Sequence, residues 1–483
     1  MNRTIKYIAA ALVAAGFCLG GVQEGICRAS GMTMTGQDSS AVSGGKVVLT
    51  IEDCRSLALR NNASVRNAAL DVLAAQAQKG EAVAEYFPKV SINAFGYYAF
   101  DPMLEIGVKD ILGDSDLANN INSWIGQVAP MYGIDPVYST MKQGYSATVS
   151  VIQPVFAGGR IVNGNRLASL GVEAARLQST MQQRKSREEV EEEYWQVVSL
   201  EEKMKTVQEV QKMLDNLEKD VNAAVSAGIA TETDRLQLRL KQNELKATRT
   251  KLKGGIRLAK MNLCNTIGVA YSPYSTMASD TLPYIDSIVL ADDLGSLEEP
   301  ASCWRDEKEI LAGREESRLL DISVKAKQME KKMALGEVLP QLGVGLSYGY
   351  NDMMFDDARL NGAVYATLRI PITDWGKYSR KVRRQGYQVQ KAENDREYLE
   401  SQLLLQIRQQ WLELTVSWEQ AQVAEESVRA AQSTVRQLED RYRAGLVPLS
   451  ELLEAQTALR QSADALVDAR IAYRNAYVRY SSL

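Results

Sequence analysis

Apolar and polar residues alternate with a period of two in four short stretches, and each stretch adjoins a much longer polar one. Val90, Ile92 and Ala94 alternate with Ser91 and Asn93 and run on into Gly96, Tyr97, Tyr98 and Phe100. From Tyr145, the residues Ala147, Val149 and Val151 alternate with Ser146, Thr148 and Ser150, and Pro154 closes the run. In the second half Leu342, Val344, Leu346, Tyr348 and Tyr350 alternate with Gly343, Gly345, Ser347 and Gly349. Val364, Ala366, Leu368 and Ile370 alternate with Ala363, Tyr365, Thr367 and Arg369, up to Pro371. Successive side chains of a strand point to opposite faces. The spacing therefore predicts four strands of about nine to eleven residues, apolar on one face and small or polar on the other. Such strands fit a transmembrane barrel with aromatic residues near its rim. They also fit an ordinary soluble antiparallel sheet, but no separate helix is left to cover the apolar face.

The stretches after the second and fourth strands predict very long helices. No proline occurs between Pro154 and Pro273 or between Pro371 and Pro448, and Ala, Gln, Glu, Arg and Leu dominate. That composition belongs to long coiled coils. The two stretches match in strict register. Pro154, Gly159, Arg160, Tyr194 and Gly228 stand 217 positions before Pro371, Gly376, Lys377, Trp411 and Gly445, with no gap. At roughly 1.5 Å per residue each rod is about 100 Å long. Gly228 and Gly445 read as glycine C-caps. The helix restarts at Thr231/Thr233 and Pro448/Ser450, with Ser450 a candidate N-cap. Each copy is thus an αα-hairpin. Before the strands, shorter helices run from Leu49 to about Glu85 with a break at Asn61-Asn62, ended by Pro88, and from Leu311 to Val338, ended by Pro340. An insertion at 101–143, rich in Asp, Asn, Gly and Pro, predicts a long functional or mobile loop.

Charge and composition narrow the classes. The net charge is −4 from 56 basic and 60 acidic residues, so no nucleic-acid footprint appears. There is no histidine at all. The commonest general base and metal ligand are therefore missing, and no enzyme, cofactor or metal site is expected. Arg3 and Lys6 precede a short apolar run from Ile8 to Leu19, and Cys27-Arg28-Ala29 offers a cleavage site, so a secretory signal is expected over 1–29. A Gly/Ser/Thr-rich flexible leader follows over 30–48. The first repeat spans 49–270, a linker that would form a collar partway along the rods spans 271–306, and the second repeat spans 307–483. Cys54, Cys264 and Cys303 follow no disulfide or metal spacing.

Four strands cannot close a barrel, and an open sheet edge in lipid leaves backbone groups unsatisfied. Membrane strands here demand an oligomer. The strand-exit motifs Gln153-Pro154-Val155-Phe156-Ala157-Gly158-Gly159-Arg160 and Ile370-Pro371-Ile372-Thr373-Asp374-Trp375-Gly376-Lys377, with the tips around Gly228 and Gly445, resemble the TolC-type outer-membrane efflux proteins. The resemblance covers essentially the whole mature chain. It implies an α+β membrane protein, a homotrimer sharing a 12-strand β-barrel with four strands per chain. It also implies a coiled-coil periplasmic tunnel, a periplasmic adaptor and an inner-membrane transporter as partners, and export of drugs, toxic solutes or proteins.

By the same resemblance the tunnel closes at the hairpin tips. Glu451 and Glu454 take the positions of an acidic ring, Asp234 is the first-copy counterpart of Glu451, and Tyr442 matches a tyrosine that links neighbouring hairpins. Val447 stands where the family carries a basic residue, with Arg441 and Arg443 nearby. The turns Gly228, Ile229, Ala230, Thr231 and Gly445, Leu446, Val447, Pro448 are the expected adaptor contacts; they are also plain helix caps. Glu451 and Glu454 likewise suit a solvated helix face. The competing reading of the whole chain is a soluble periplasmic coiled-coil adaptor or scaffold.

Overall fold

The computed structural model describes residues 42–43, 46–101, 104–106, 113, 115–128, 131, 138–140, 143–228, 230–274, 282–295, 297–352, 359–372 and 374–483. The expected signal segment lies outside them. In chain order the elements are β1 (Val42–Ser43), β2 (Lys46–Leu49), α1 (Ile51–Asn61), α2 (Ala63–Ala84), β3 (Lys89–Tyr98), β4 (Leu104–Ile106), α3 (Asp116–Val128), β5 (Tyr138–Thr140) and β6 (Gln143–Ala157). Then come α4 (Arg160–Ser226), α5 (Glu232–Thr266), β7 (Ile288–Leu290), α6 (Glu307–Gly313), α7 (Glu315–Gly336), β8 (Gln341–Asp352), β9 (Arg359–Arg369), α8 (Lys377–Arg443) and α9 (Leu449–Ser481).

The two rods α4 and α8 have 67 residues each, about 100 Å at 1.5 Å per residue. Their buried positions recur every seven residues: Val207, Leu214 and Val221 on α4, and Ile407, Leu414 and Ala421 on α8. A seven-residue apolar repeat is the seam of a coiled coil. Two shorter helices, joined end to end, lie along α4. Asn62 makes that joint: its Oδ1 accepts from the Ser64 N–H at 2.8 Å, starting α2, while its Nδ2 donates to the Thr266 carbonyl at 3.2 Å, ending α5. Asn61 Nδ2 likewise donates to the Ile267 carbonyl. The break expected at Asn61-Asn62 is thus where one helix hands over to another, a role the linear pattern does not show. On the other side of α4, α9 and α7 stack in the same way, and both also pack on α8. Arg184 of α4 pairs with Glu315 at 2.8 Å and with Glu316, holding the start of α7 beside α4.

The strand ladder runs β3-β6-β8-β9, antiparallel throughout. This order matches the rods: β3 follows α2, β6 leads into α4, β8 follows α7 and β9 leads into α8. Pro154 does not close its strand. β6 continues to Ala157 through a register shift between Pro154 and Phe156; a bulge is where a sheet accepts proline, which has no N–H for the ladder. Residues 42–43 and 46–48, expected in a flexible leader, and Leu49, expected to start a helix, form strands instead. β2 pairs in parallel with β7 of the linker, Val47 opposite Ile288. The 101–143 insertion is more than a loop, since it contains the β4–β5 pair and α3.

Halfway down α4 the linker meets the rod. Tyr194 is fully buried among Leu49, Cys54, Val198, Ile285 and Ile288. Its hydroxyl donates to Asp292 Oδ2 at 2.8 Å and accepts from the Asp292 N–H at 3.2 Å. Burial, with the Asp292 carboxylate beside it, pushes the phenol well above its ordinary pKa, so it is neutral at any physiological pH. Its counterpart 217 positions on, Trp411, packs on Tyr480 with ring centroids 5.1 Å apart, in a core with Ile407, Leu414 and Ile310. Tyr194→Phe strands the buried polar groups of this joint at a cost of about 1–3 kcal/mol. Amide exchange across 288–294 should therefore accelerate roughly 5-fold or more, while the hairpin tips stay unchanged. Equal exchange in both places would show that the hydroxyl does not hold the linker.

Candidate functional site

Two features of the molecule lack an internal purpose: the hairpin tips and the uncovered sheet. The first tip ends α4 at Gly228, whose φ of +74° is in the region open to glycine. Its N–H donates to the Val225 carbonyl at 3.0 Å. Thr231 then starts α5 with a capping box: its Oγ1 accepts from the Asp234 N–H at 3.3 Å, and Asp234 Oδ2 accepts from the Thr231 N–H at 2.9 Å. The second tip ends at Gly445, with φ +73°. Gly445 N–H donates to the Tyr442 carbonyl and Leu446 N–H to the Arg441 carbonyl, both at 2.9 Å, the pattern of a Schellman cap. Helix α9 begins at Leu449, so Ser450 sits inside the first turn rather than at the N-cap, which Pro448 occupies. Leu449, Leu452 and Leu453 explain the shift. Spaced i, i+3, i+4, all three are buried, and the helix must start at the first of them to present one apolar face.

These leucines join the two tips. They pack with Leu214, Leu217 and Val221 of α4 and Leu238 of α5, and Val447 packs against the same cluster. An apolar residue at 447 thus has a structural use here. Tyr442 is half-buried beside the first hairpin. Burial raises its pKa, and the charges of Asp234 and Asp220 raise it further. Asp234, grouped with the aperture from sequence, spends a carboxylate oxygen on its own cap. Glu451 and Glu454 are exposed, one turn apart on one face of α9. Gly228, Thr231, Gly445, Leu446 and Pro448 are exposed, and Ala230 and Val447 are partly so. Ile229 lies outside the described residues.

The sheet is open on both faces. In register, Val90, Val151, Leu346 and Val364 lie in one row across the four strands, and Ile92, Val149 and Tyr348 in the next. Val364 is 76% exposed and Val90 67%. The opposite face carries Ser91, Ser150 and Ser347, with Ser91 Oγ 2.8 Å from Ser150 Oγ. Aromatic residues bound the apolar rows at both ends. Tyr145 stacks on Tyr350 at 5.6 Å at the end far from the rods α4 and α8. Phe87, Phe156 and Trp375 are exposed at the near end, a second belt that the alternation alone does not reveal. The ten-residue strand β3 runs from beside Phe87 to the level of Tyr145 and just past it, the length of a tilted transmembrane strand, about 9–11 residues.

Among the described residues no helix is long and apolar enough to cross a membrane, which says nothing of a β-barrel. No group of three or more His, Cys, Asp or Glu among them is placed to hold a metal ion.

No curated protein matches the sequence. Solved structures do share the fold. A membrane protein from Pseudomonas aeruginosa has a TM-score of 0.71 at 14% identity, covering 92% of this chain and 94% of that one. The outer membrane protein VceC of Vibrio cholerae has a TM-score of 0.65 at 16% identity, covering 89% and 94%. The CmeC outer membrane channel of Campylobacter jejuni has a TM-score of 0.69 at 15% identity, covering 93% and 92%. The family described as outer membrane efflux protein matches residues 54–269 and 311–483. The fold and the match agree over most of the sequence: this chain belongs to the outer membrane efflux protein family.

Proposed function

We propose that three copies of this chain close into one duct, a 12-strand barrel in the outer membrane continued by a tube of helices across the periplasm. The observation that carries the reading is the uncovered sheet, banded by aromatic residues and ending at the edges β3 and β9. An open edge in lipid leaves N–H and C=O groups without partners, so the ladder must close. With the order β3-β6-β8-β9 the two edges run antiparallel to each other. A head-to-tail ring therefore continues the ladder without a break, as heterologous contacts do when their rotation closes. Two copies would give eight strands, a barrel just filled by its own side chains. Three is the smallest ring that leaves a passage. A soluble scaffold would need the row from Val90 to Val364 covered, and nothing among the described residues covers it.

In this reading the two halves are repeats of one unit, the linker and the cores around Tyr194 and Trp411 form a collar midway down the tube, and the tips are the periplasmic mouth. Glu451, Glu454, Asp234 and Tyr442 surround that aperture. The turns at Gly228 and Gly445 receive a periplasmic adaptor, which couples the duct to an inner-membrane transporter. The duct itself is passive, and the cargo is drugs, toxic solutes or proteins. The test is the native mass of the protein extracted from outer membranes in detergent, with conductance of the same preparation in planar bilayers. A trimer that conducts is expected. A monomer that stays soluble without detergent would overturn the barrel.

A further inference from the structure

One face of the sheet carries basic residues and, among the described residues, no acidic ones. It is the face of Ser91, Ser150 and Ser347, and the register extends it row by row. Toward the rods, Gly345 lies opposite Tyr365, Gly343 opposite Thr367 and Gln341 opposite Arg369. On β3, Lys89 takes the same face two residues from Ser91, and Glu85 holds it at 2.7 Å. Arg369 is exposed and forms no ion pair with a carboxylate among the described residues. The wall beside it is low. Gly343 stands in the next row. In the row beyond, a side chain on Gly345 would collide with the Tyr365 ring, which lies across β8 there.

A guanidinium with free N–H groups above a low, uncharged wall suits carboxylate or phosphate oxygens, which it binds in pairs. One exposed arginine holds such a group weakly, because water screens it. A ring of them differs: like charges around a passage with low-dielectric walls focus the field and concentrate counter-ions. Rings of Arg or Lys are how a pore favours anions. The level is defined as well. Arg369 is the last residue of β9, in line with Gln341 and Ala157, where the sheet gives way to the rods. The 67-residue rod α8 separates it from the exposed Glu451 and Glu454 by about 100 Å at 1.5 Å per residue. With a Debye length of about 10 Å at 0.1 M salt, charges of opposite sign at the two ends do not cancel.

We propose that Arg369, repeated around the ring, forms an anion-binding throat between tube and barrel that favours solutes carrying a carboxylate or phosphate. The proposal rests on the ring reading above and names the charge class that the barrel end of the duct prefers. The test reads the local potential with thiols. Thr367→Cys puts one on the same face beside Arg369, and Ser347→Cys puts one further along the same wall. Each variant, reconstituted in lipid at about 0.1 M salt, is treated with a negatively and a positively charged methanethiosulfonate of similar size. Cys54 and Cys264 are buried, and the unsubstituted protein gives the background from Cys303. Relative to a thiol free in solution, the anionic reagent should gain at least about 3-fold over the cationic one at Thr367→Cys. The ratio of the two rates cancels any effect of Arg369 on the thiol itself. The gain should be smaller at Ser347→Cys and shrink at about 1 M salt. It should vanish when Arg369→Gln is added and persist with Arg369→Lys, which keeps the charge. Arg369 is exposed, so neither change disturbs the fold. No gain, or a gain unchanged by Arg369→Gln, would overturn the throat, and a three-chain native mass in the same preparation would leave the ring standing. Reaction at Val364→Cys on the opposite face, but at neither of the other two positions, would turn Arg369 away from the passage and overturn the throat. A single-chain native mass would overturn both ring and throat.

Discussion

Gly158→Val should leave little or no assembled protein in the outer membrane. Gly158 ends the bulged strand β6 with φ +63°, and a Cβ there would lie 2.1 Å from the Gly336 carbonyl oxygen. A Cβ on Gly336 would in turn lie 2.4 Å from the Gly158 carbonyl oxygen. Both obstacles are backbone, so no side chain can swing away. Holding a β-branched residue in the left-handed region costs about 1–3 kcal/mol, and forcing apart a packed contact about 1–3 more. The sum is a large share of the roughly 5–15 kcal/mol that holds a domain together. The contact joins the last residues before α4 to the last residue of α7, where strands turn into rods, so the damage falls on the sheet and the long helices together. Trp375, 217 positions on, tests the steric part. It has φ +54° and is 93% exposed, so the turn itself accepts a side chain when no backbone faces it. Gly171→Ala, at a helical glycine with open space around it, should be neutral or stabilising by up to about 1 kcal/mol. Measured as folded yield and thermal stability in detergent, a Gly158→Val protein equal to wild type would dismiss the contact as a constraint.

Glu451→Gln combined with Glu454→Gln should weaken divalent-cation block of the open duct at least about 10-fold, equivalent to about 1.4 kcal/mol. In the proposed ring each copy places both exposed carboxylates near the mouth, and a narrow mouth lined by one sign of charge concentrates counter-ions. The difference from wild type should shrink at high salt, where the Debye length falls from about 10 Å at 0.1 M to about 3 Å at 1 M. Asp234→Asn separates charge from architecture. Because Asp234 already serves the Thr231 cap, its loss should destabilise the first tip by about 1 kcal/mol and affect block less. Conductance titrations in planar bilayers decide the matter. Unchanged block in the double variant removes Glu451 and Glu454 from the aperture and returns them to a solvated helix face.

Much of this fold is legible in one dimension because its elements are long and periodic. Val90, Ile92, Val149 and Val344 alternate cleanly, so the strands appear where expected. Gly159, Gly228, Gly376 and Gly445 all have positive φ in the structure, and the spacing alone marks them as turns. Errors came where local cues compete with packing. Pro154 reads as a strand end, yet pairing on both sides carries β6 past it through a bulge. Ser450 reads as an N-cap, yet burial of Leu449 moves the cap two residues earlier, to Pro448. Residues 46–48 read as leader and Leu49 as a helix start, yet β7 offers this stretch a partner some 240 positions away. The candidate site was legible only as a set of positions. That Tyr442 lies against the first hairpin depends on contacts between segments far apart in the chain, whereas the tie of Asp234 to Thr231 is a local capping box over three residues.

Sequence by itself determined what repeats locally: strand period, helix length, the 217-residue register, the capping glycines and the absence of histidine chemistry. Each depends on neighbours within a few positions or on direct comparison of two stretches. Only the tertiary structure decided which rod lies beside which, that Asn62 joins α5 to α2, and that Gly158 meets Gly336. These depend on side chains brought together across hundreds of residues, where volume and backbone approach set the outcome, and a linear pattern carries neither.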